Sequence, residues 1–369
     1  MRSFSQFVPE HIRKLTKRGL SLPAGEDQGG RIRLNLNENP FGPSPLALAA
    51  IEQALSGLHR YPPVQPSALE GVIARFHDFE PEEVMVAAGA TELLGIIAQA
   101  LLGPGKKAIT SALSFLVYRL ATEVSGGELI EVETRGYGYD LDGIAEAIDE
   151  NTRVVFVANP NNPTGSLIPA EALKSFVDLL PDHVLLVLDE AYFDFAHDFA
   201  QKRGVKYFDG LAYVRQRQNV LLLRTFSKAH GLAGLRVGYG IGAEALISLL
   251  KALRSVFSVS SLAAMAASAA LFDRNHVART IENNRQQADV LASGMRELGV
   301  VIPETWTNFL YCELGQNAAV FAERLRHHGI IVQPLTTSGA PTAMRVTIGT
   351  AEENARLLEV LSALPCENP

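Results

Sequence analysis

The stretch Val220-Leu221-Leu222-Leu223-Arg224-Thr225-Phe226-Ser227-Lys228-Ala229-His230-Gly231-Leu232-Ala233-Gly234-Leu235-Arg236 decides how the centre of this chain is read. The apolar run Val220 to Leu223 has the length and composition of a buried strand. Two hydroxyls follow it, Thr225 and Ser227, then Lys228, and an arginine stands eight positions after the lysine. A lysine amine forms Schiff bases with carbonyl compounds. Hydroxyls and an arginine nearby suit the oxygens of a phosphate monoester.

Outward from this stretch the chain alternates. Short apolar runs predict strands at 84–88, 107–110, 128–132, 154–158, 184–188 and 220–223, with a further strand at 237–241. Helical patterns lie between them at 45–58, 65–76, 90–102, 116–125, 141–149 and 169–180, the first with Ser44 as its N-cap. Such alternation predicts an α/β fold with a mostly parallel sheet covered on both faces. Past Gly242 the pattern turns helical to about 298, and a smaller α+β lobe follows at 309–313, 318–328, 330–333, 344–348 and 351–364. The expected organisation is an N-terminal arm (1–30) with a short helix at 5–17, a large domain (31–242) and a small domain (243–369). Two lobes meeting at a cleft suit a cofactor enzyme.

Composition narrows the classes. The 369 residues are 47% hydrophobic and 20% charged, which is ordinary for a globular chain. A net charge of -7 gives no support to nucleic acid or an anionic membrane as the main partner. Cys312 and Cys366 lack metal spacing and make no disulfide framework, and no metal site is expected. The N-terminus carries no signal-like apolar run, and no stretch is long and apolar enough to span a bilayer, so a cytoplasmic protein is expected.

Three further segments carry chemistry. Asp189-Glu190-Ala191-Tyr192 follows the run 184–188, so Asp189 stands at the carboxyl end of a parallel strand, facing the ligand crevice. A carboxylate there suits the pyridine nitrogen of pyridoxal 5'-phosphate (PLP), whose protonated ring is an electron sink. Tyr192, three residues on, is the expected hydrogen-bond partner of that ring's phenolic oxygen. Asp189 would serve equally as the cap of the next segment. Gly89, Ala90 and Thr91 open a helix, where free N–H groups attract anions. The phosphate is assigned to these amides with Thr225, Ser227 and Arg236, although any capped helix reads the same way. Asn159-Pro160-Asn161-Asn162-Pro163-Thr164-Gly165 is rich in ordinary turn formers.

Together these strings resemble the fold-type I, aspartate aminotransferase-like family of PLP enzymes. Beyond Lys228, Asp189 and the double-asparagine loop, the likeness includes Leu34-Asn35-Leu36-Asn37-Glu38-Asn39-Pro40-Phe41-Gly42-Pro43, Arg60-Tyr61-Pro62, the aromatic pair Phe115 and Tyr118, and Met344-Arg345-Val346-Thr347-Ile348-Gly349. It covers about residues 33–350 and is nearest to the histidinol-phosphate aminotransferase subgroup. The resemblance implies a three-layer PLP-binding large domain, a smaller α+β domain and a homodimer. It implies that Lys228 carries PLP and shuttles a proton, and that Asn162 and Tyr192 address the phenolic oxygen. It implies that Phe115 stacks on the ring and that Tyr61 reaches the partner's cofactor phosphate. Arg345 would grip a substrate carboxylate, and Asn37 would also contact substrate.

Three departures stand at the substrate end. The stretch Leu15-Thr16-Lys17-Arg18-Gly19 has no tyrosine where the family places one. Gln333 stands where the family tends to have arginine, so Lys17 or Arg18 of the arm is the candidate replacement for a lost phosphate contact. The segment between Tyr192 and Lys228, including Asp194 to Asn219, is somewhat longer than usual. The expected reaction moves an amino group between an amine and a 2-oxo acid such as 2-oxoglutarate. Rivals are an aminotransferase for aromatic or specialised amino acids, a decarboxylase of a phosphorylated amino acid, and, remotely, a PLP-binding regulator.

Overall fold

The computed structural model describes residues 7–18 and 30–364, apart from the side chains of 16–18. After the two-residue strand β1 (Ile32–Arg33), seven strands form the main sheet: β2 (Val84–Ala87), β3 (Lys107–Ser111), β4 (Glu128–Val132), β5 (Thr152–Ala158), β6 (Leu185–Asp189), β7 (Val220–Thr225) and β8 (Gly238–Ile241). Their order is β2-β8-β7-β6-β5-β3-β4. The pairs from β7 to β4 are parallel, and β8 is antiparallel to both its neighbours. The link from β7 to β8 holds one short 3-10 turn, Ala233–Leu235, and no crossover helix. A parallel return needs such a crossover, so the chain doubles back instead.

Burial on both faces explains why the strands read as continuous apolar runs. Val220 and Leu222 pack into the core on one face, with Val155, Val157, Leu186 and Leu188. Leu221 and Leu223 pack into the other, with Val154, Phe156, Leu185 and Val187. Each such fully buried side chain contributes about 1.5–3 kcal/mol. Helices cover both faces: Ala90–Leu101 lies against the second core, and Ser67–His77 and Ala170–Leu179 against the first. The fold is therefore the expected three-layer α/β architecture of fold type I.

A second sheet orders as β11-β12-β9, built from β9 (Phe309–Glu313), β11 (Gln333–Pro334) and β12 (Ala343–Thr347), all antiparallel. Its core joins Leu310, Met344 and Val346 to Phe321, Leu325 and Leu357 of its helices. The expected strand 330–333 is divided in two. β10 (Ile330–Ile331) pairs in parallel with β1, while Gln333 and Pro334 turn to β12.

The helical region after Gly242 is three helices, Glu244–Lys251, Ser261–Ala270 and Arg274–Glu297. The breaks carry their own caps: Ser260 accepts from the Ala263 N–H and Asp273 from the His276 N–H. The first packs against β2 and the second against the helix Pro45–Ala54, both on the large sheet's side. The third packs against Phe193–Arg203 and Ala351–Ala363. The stretch 194–219 holds most of Phe193–Arg203 and the helix Leu211–Gln216, which sequence patterning left unassigned. Ala196, Phe199 and Ala200 enter the small lobe's core, so this helix ties the two lobes together. Among the described residues no helix is long and apolar enough to cross a membrane, and no group of side chains is placed to hold a metal ion.

Candidate active site

The carboxyl ends of β5, β6 and β7 open into a cleft of about 420 Å³. Ala158, Asp189 and Thr225, the last residues of those strands, line it. The far wall comes from residues 36–38 and from Arg345 on β12. The cleft lies at the edge where parallel strands deliver side chains.

Lys228 Nζ donates to the carbonyl oxygens of Leu36 and Asn37, at 3.1 and 3.2 Å. Burial, then the charges of Arg345 and Arg236, push its pKa down to about 7 against the pull of Glu38 and Asp189. The amine therefore has a substantial neutral fraction near neutral pH, which nucleophilic and basic roles need.

Asp189 is buried. Its Oδ2 accepts from the Tyr118 hydroxyl at 2.9 Å and its Oδ1 from the Ala191 N–H at 3.1 Å. Burial raises its carboxyl pKa in spite of those donors. Tyr192, also buried, lines the cleft, and its hydroxyl accepts from Asn37 Nδ2 at 2.8 Å.

Asn37 sits in the left-handed region at φ 56°. Its N–H donates to Thr347 Oγ1 at 2.9 Å, and its carbonyl also receives Asn308 Nδ2 at 3.0 Å. One residue thus locks the lysine, the tyrosine and the small lobe to each other.

The anion cradle is close-packed. Gly89 opens the helix Ala90–Leu101 at φ +85°, and a Cβ on it would lie 2.6 Å from Arg236 Nη2. Only glycine permits both the backbone turn and the guanidinium's approach. Ala90, Thr91, Thr225, Ser227 and Arg236 all line the cleft. Thr225 Oγ1 donates to Ser227 Oγ at 3.0 Å. The first amides of a helix have no intrahelical acceptor, so helix start, hydroxyls and guanidinium line one cleft with donors suited to an anion. With a semi-neutral lysine and a buried carboxylate in the same cleft, these residues fit PLP.

At the opposite end, Arg345 Nη1 donates to Asn162 Oδ1 at 2.6 Å and Nη2 to the Asn35 carbonyl at 2.8 Å. Its buried Nε has no partner. Phe115 lines the cleft beside Tyr118, with ring centroids 5.6 Å apart.

Most residues singled out from the sequence therefore gather here, and two described ones, Tyr61 and Gln333, do not. Tyr61 is 83% exposed and stacks on Phe257 at 4.8 Å. Gln333 donates to the Pro334 carbonyl at 3.0 Å and is not among the residues lining the cleft, although its Cα pairs with that of Arg345. The side chain of Arg18 lies outside the described residues. Sequence reasoning missed the Leu36 and Asn37 carbonyls and Asn308, because backbone acceptors and a lone asparagine leave no pattern. It noticed Tyr118 only as half of an aromatic pair.

The model of the family "Aminotransferase class I and II" matches residues 30–361. "Histidinol-phosphate aminotransferase 2" of Pseudomonas fluorescens is 43% identical over 335 residues, which is 91% of this chain and 89% of that protein. The histidinol-phosphate aminotransferase of Akkermansia muciniphila is 40% identical over 331 residues, 89% of each chain. The crystal structure of histidinol-phosphate aminotransferase from Sinorhizobium meliloti in complex with pyridoxal-5'-phosphate superposes with a TM-score of 0.87 at 30% identity. That match covers 99% of this chain and all of the other.

Proposed function

Because the chain belongs to the class I and II aminotransferase family and is a PLP-dependent transaminase, we propose that its amino donor is histidinol phosphate and its acceptor 2-oxoglutarate. The observation that carries the reading is Lys228. Its half-buried amine is held by two backbone carbonyls and lies in one cleft with Asp189 and Arg345. Likeness to named histidinol-phosphate aminotransferases over nine-tenths of the chain supports the choice of donor.

When bound, PLP supplies a carbonyl that takes up the donor's nitrogen and a ring that accepts electrons from its Cα. In this reading Lys228 Nζ would hold the cofactor, be freed when the donor's nitrogen takes its place, and as a free amine would move the proton from the donor's Cα to the cofactor's former carbonyl carbon. Asp189 holds the proton on the pyridine nitrogen, and Asn162 and Tyr192 address the phenolic oxygen. Phe115 covers the ring face. Gly89, Ala90, Thr91, Thr225, Ser227 and Arg236 hold the phosphate. Arg345 receives the acceptor's carboxylate through a paired set of N–H donors. Asn37 positions Lys228 and Tyr192 from beneath, and Arg18 of the arm is the contact for the donor's own phosphate.

The protein acts as a cytoplasmic homodimer in this reading. Tyr61 and Phe257 stack in solvent, and Leu58, Val64 and Val256, close to them in sequence, are also exposed, as apolar residues at association sites are. Tyr61 then reaches the partner's cofactor phosphate. The division into an arm (1–30), a cofactor-binding lobe and a small lobe belongs to the same proposal, with the helices Glu244–Lys251 and Ser261–Ala270 counted with the cofactor-binding lobe against which they pack.

One observation favours a second reading. Gln333 brings no charge and spends its amide on Pro334, which suits a donor without a phosphate, such as an aromatic amino acid. Glutamate formation from 2-oxoglutarate, measured with each donor in turn, separates the two. Turnover with histidinol phosphate supports the first reading. Turnover with aromatic amino acids alone replaces it with the second. Carbon dioxide release without any 2-oxo acid would point to decarboxylation instead.

A further inference from the structure

Tyr118 has no part in the chemistry assigned above, yet it is the largest polar side chain committed to Asp189. It lies in the helix Leu116–Val124 with its ring fully buried. One ring face stacks on Phe156, with centroids 4.9 Å apart and planes within 3°. Phe115 packs edge-on against it at 89°. The ring therefore cannot swing. Its hydroxyl has one hydrogen to donate, and that hydrogen goes to Asp189 Oδ2 at 2.9 Å.

We propose that Tyr118 is a positioning residue for the cofactor ring, fixing the carboxylate of Asp189 and tying it to the ring-covering Phe115. The proposal rests on the reading of Asp189 as partner of the pyridine nitrogen. A carboxylate on a strand end can rotate about its last bond. Here Ala191 N–H holds one oxygen and Tyr118 O–H the other, which sets its plane. Burial works against the charged form of Asp189, and the hydroxyl is a charge-assisted donor that favours it. Burial, then the neighbouring carboxylate, keeps the Tyr118 phenol protonated, so the donor is permanent. A helix-borne tyrosine is thus built into the same packing unit as the residue that covers the ring, and ring face and ring nitrogen are addressed from one rigid cluster.

Tyr118→Phe removes the hydroxyl and leaves the ring, with its stack on Phe156. The first readout is the affinity of the apoenzyme for PLP, which needs no amine substrate and so stands even if histidinol phosphate proves inert. The second is the split between kcat and KM for whichever donor the wild type accepts. The proposal expects affinity for PLP to fall by about 10- to 100-fold, kcat to fall, the donor's KM to hold, and the visible band of the bound cofactor to shift. If folding of Tyr118→Phe is impaired, a ring-fluorinated tyrosine at 118 keeps ring and donor, and is expected to restore affinity and kcat. Wild-type affinity, spectrum and kcat in Tyr118→Phe would show a packing role only and overturn the proposal.

Discussion

Arg345 and Asn162 meet across the two lobes, with Nη1 of the first donating to Oδ1 of the second at 2.6 Å. The guanidinium rests on a neutral amide and a backbone carbonyl, with its buried Nε unpartnered. A carboxylate offers a charge-assisted pair of bonds that these acceptors cannot match. In the proposed reading the contact is a parking position from which an anionic substrate takes the arginine.

Arg345→Lys keeps the charge and loses the paired geometry. The KM for 2-oxoglutarate is expected to rise by about 10- to 100-fold, with a smaller change in kcat. Steady-state kinetics at varied 2-oxo acid check this; an unchanged KM would remove Arg345 from the substrate site.

Lys228 titrates near pH 7, far below an ordinary lysine. Its neutral form is the nucleophile, so attachment of PLP to the apoenzyme should speed up as pH rises through about 7 and level off above it. The sign for stability follows from the same shift. An unfolded lysine keeps its proton to about pH 10.4, so between the two values the unfolded chain binds more protons and this residue's contribution to stability grows with pH. Stopped-flow loading across pH tests the first point. Lys228→Ala should lose turnover altogether.

Gly89→Ala puts a methyl where Arg236 Nη2 now lies, 2.6 Å away, on backbone at φ +85°. A side chain at φ 85°, ψ 164° alone costs about 1–3 kcal/mol. Weaker PLP binding is expected, with Arg236 displaced, and equilibrium titration of the apoenzyme measures it. Gly234→Ala, which meets nothing within 4 Å, serves as the comparison.

Glu190 and Arg224 form a buried pair at 2.7 Å behind the site, and Asp209 adds a second contact to the guanidinium. Burial, against the arginine's pull, raises the Glu190 carboxyl to about 7. Arg224→Met strands that carboxylate and should destabilise the apoenzyme by about 3–5 kcal/mol. Arg224→Met combined with Glu190→Gln should recover part of the loss. Thermal melts of the single and double variants decide it.

Much of this architecture was legible because its signals are local. Buried parallel strands make apolar runs such as Val220 to Leu223, and reactive groups at strand ends follow them directly, as Asp189 and Lys228 do. What sequence could not show depends on distant partners. β1 and β10 are two residues each and exist only as each other's neighbours. The part of Asn37 in holding Lys228 lies in a backbone carbonyl, to which side-chain identity is blind. Tyr118 reads as core at its helical position, and only the meeting of that helix with β6 gives its hydroxyl a partner. Gln333 was identified as a departure, but its turn toward Pro334 is settled by β11 geometry.

The most direct measurement is a single-turnover half-reaction. Purified protein carrying PLP is mixed with histidinol phosphate in the absence of any 2-oxo acid, and the visible band of the lysine-bound cofactor is followed. The account predicts rapid, stoichiometric loss of that band, its return on adding 2-oxoglutarate, and no response in Lys228→Ala. A band unmoved by histidinol phosphate but lost with other amino acids would contradict the assigned donor, and a protein that takes up no PLP would contradict the role of Lys228 itself.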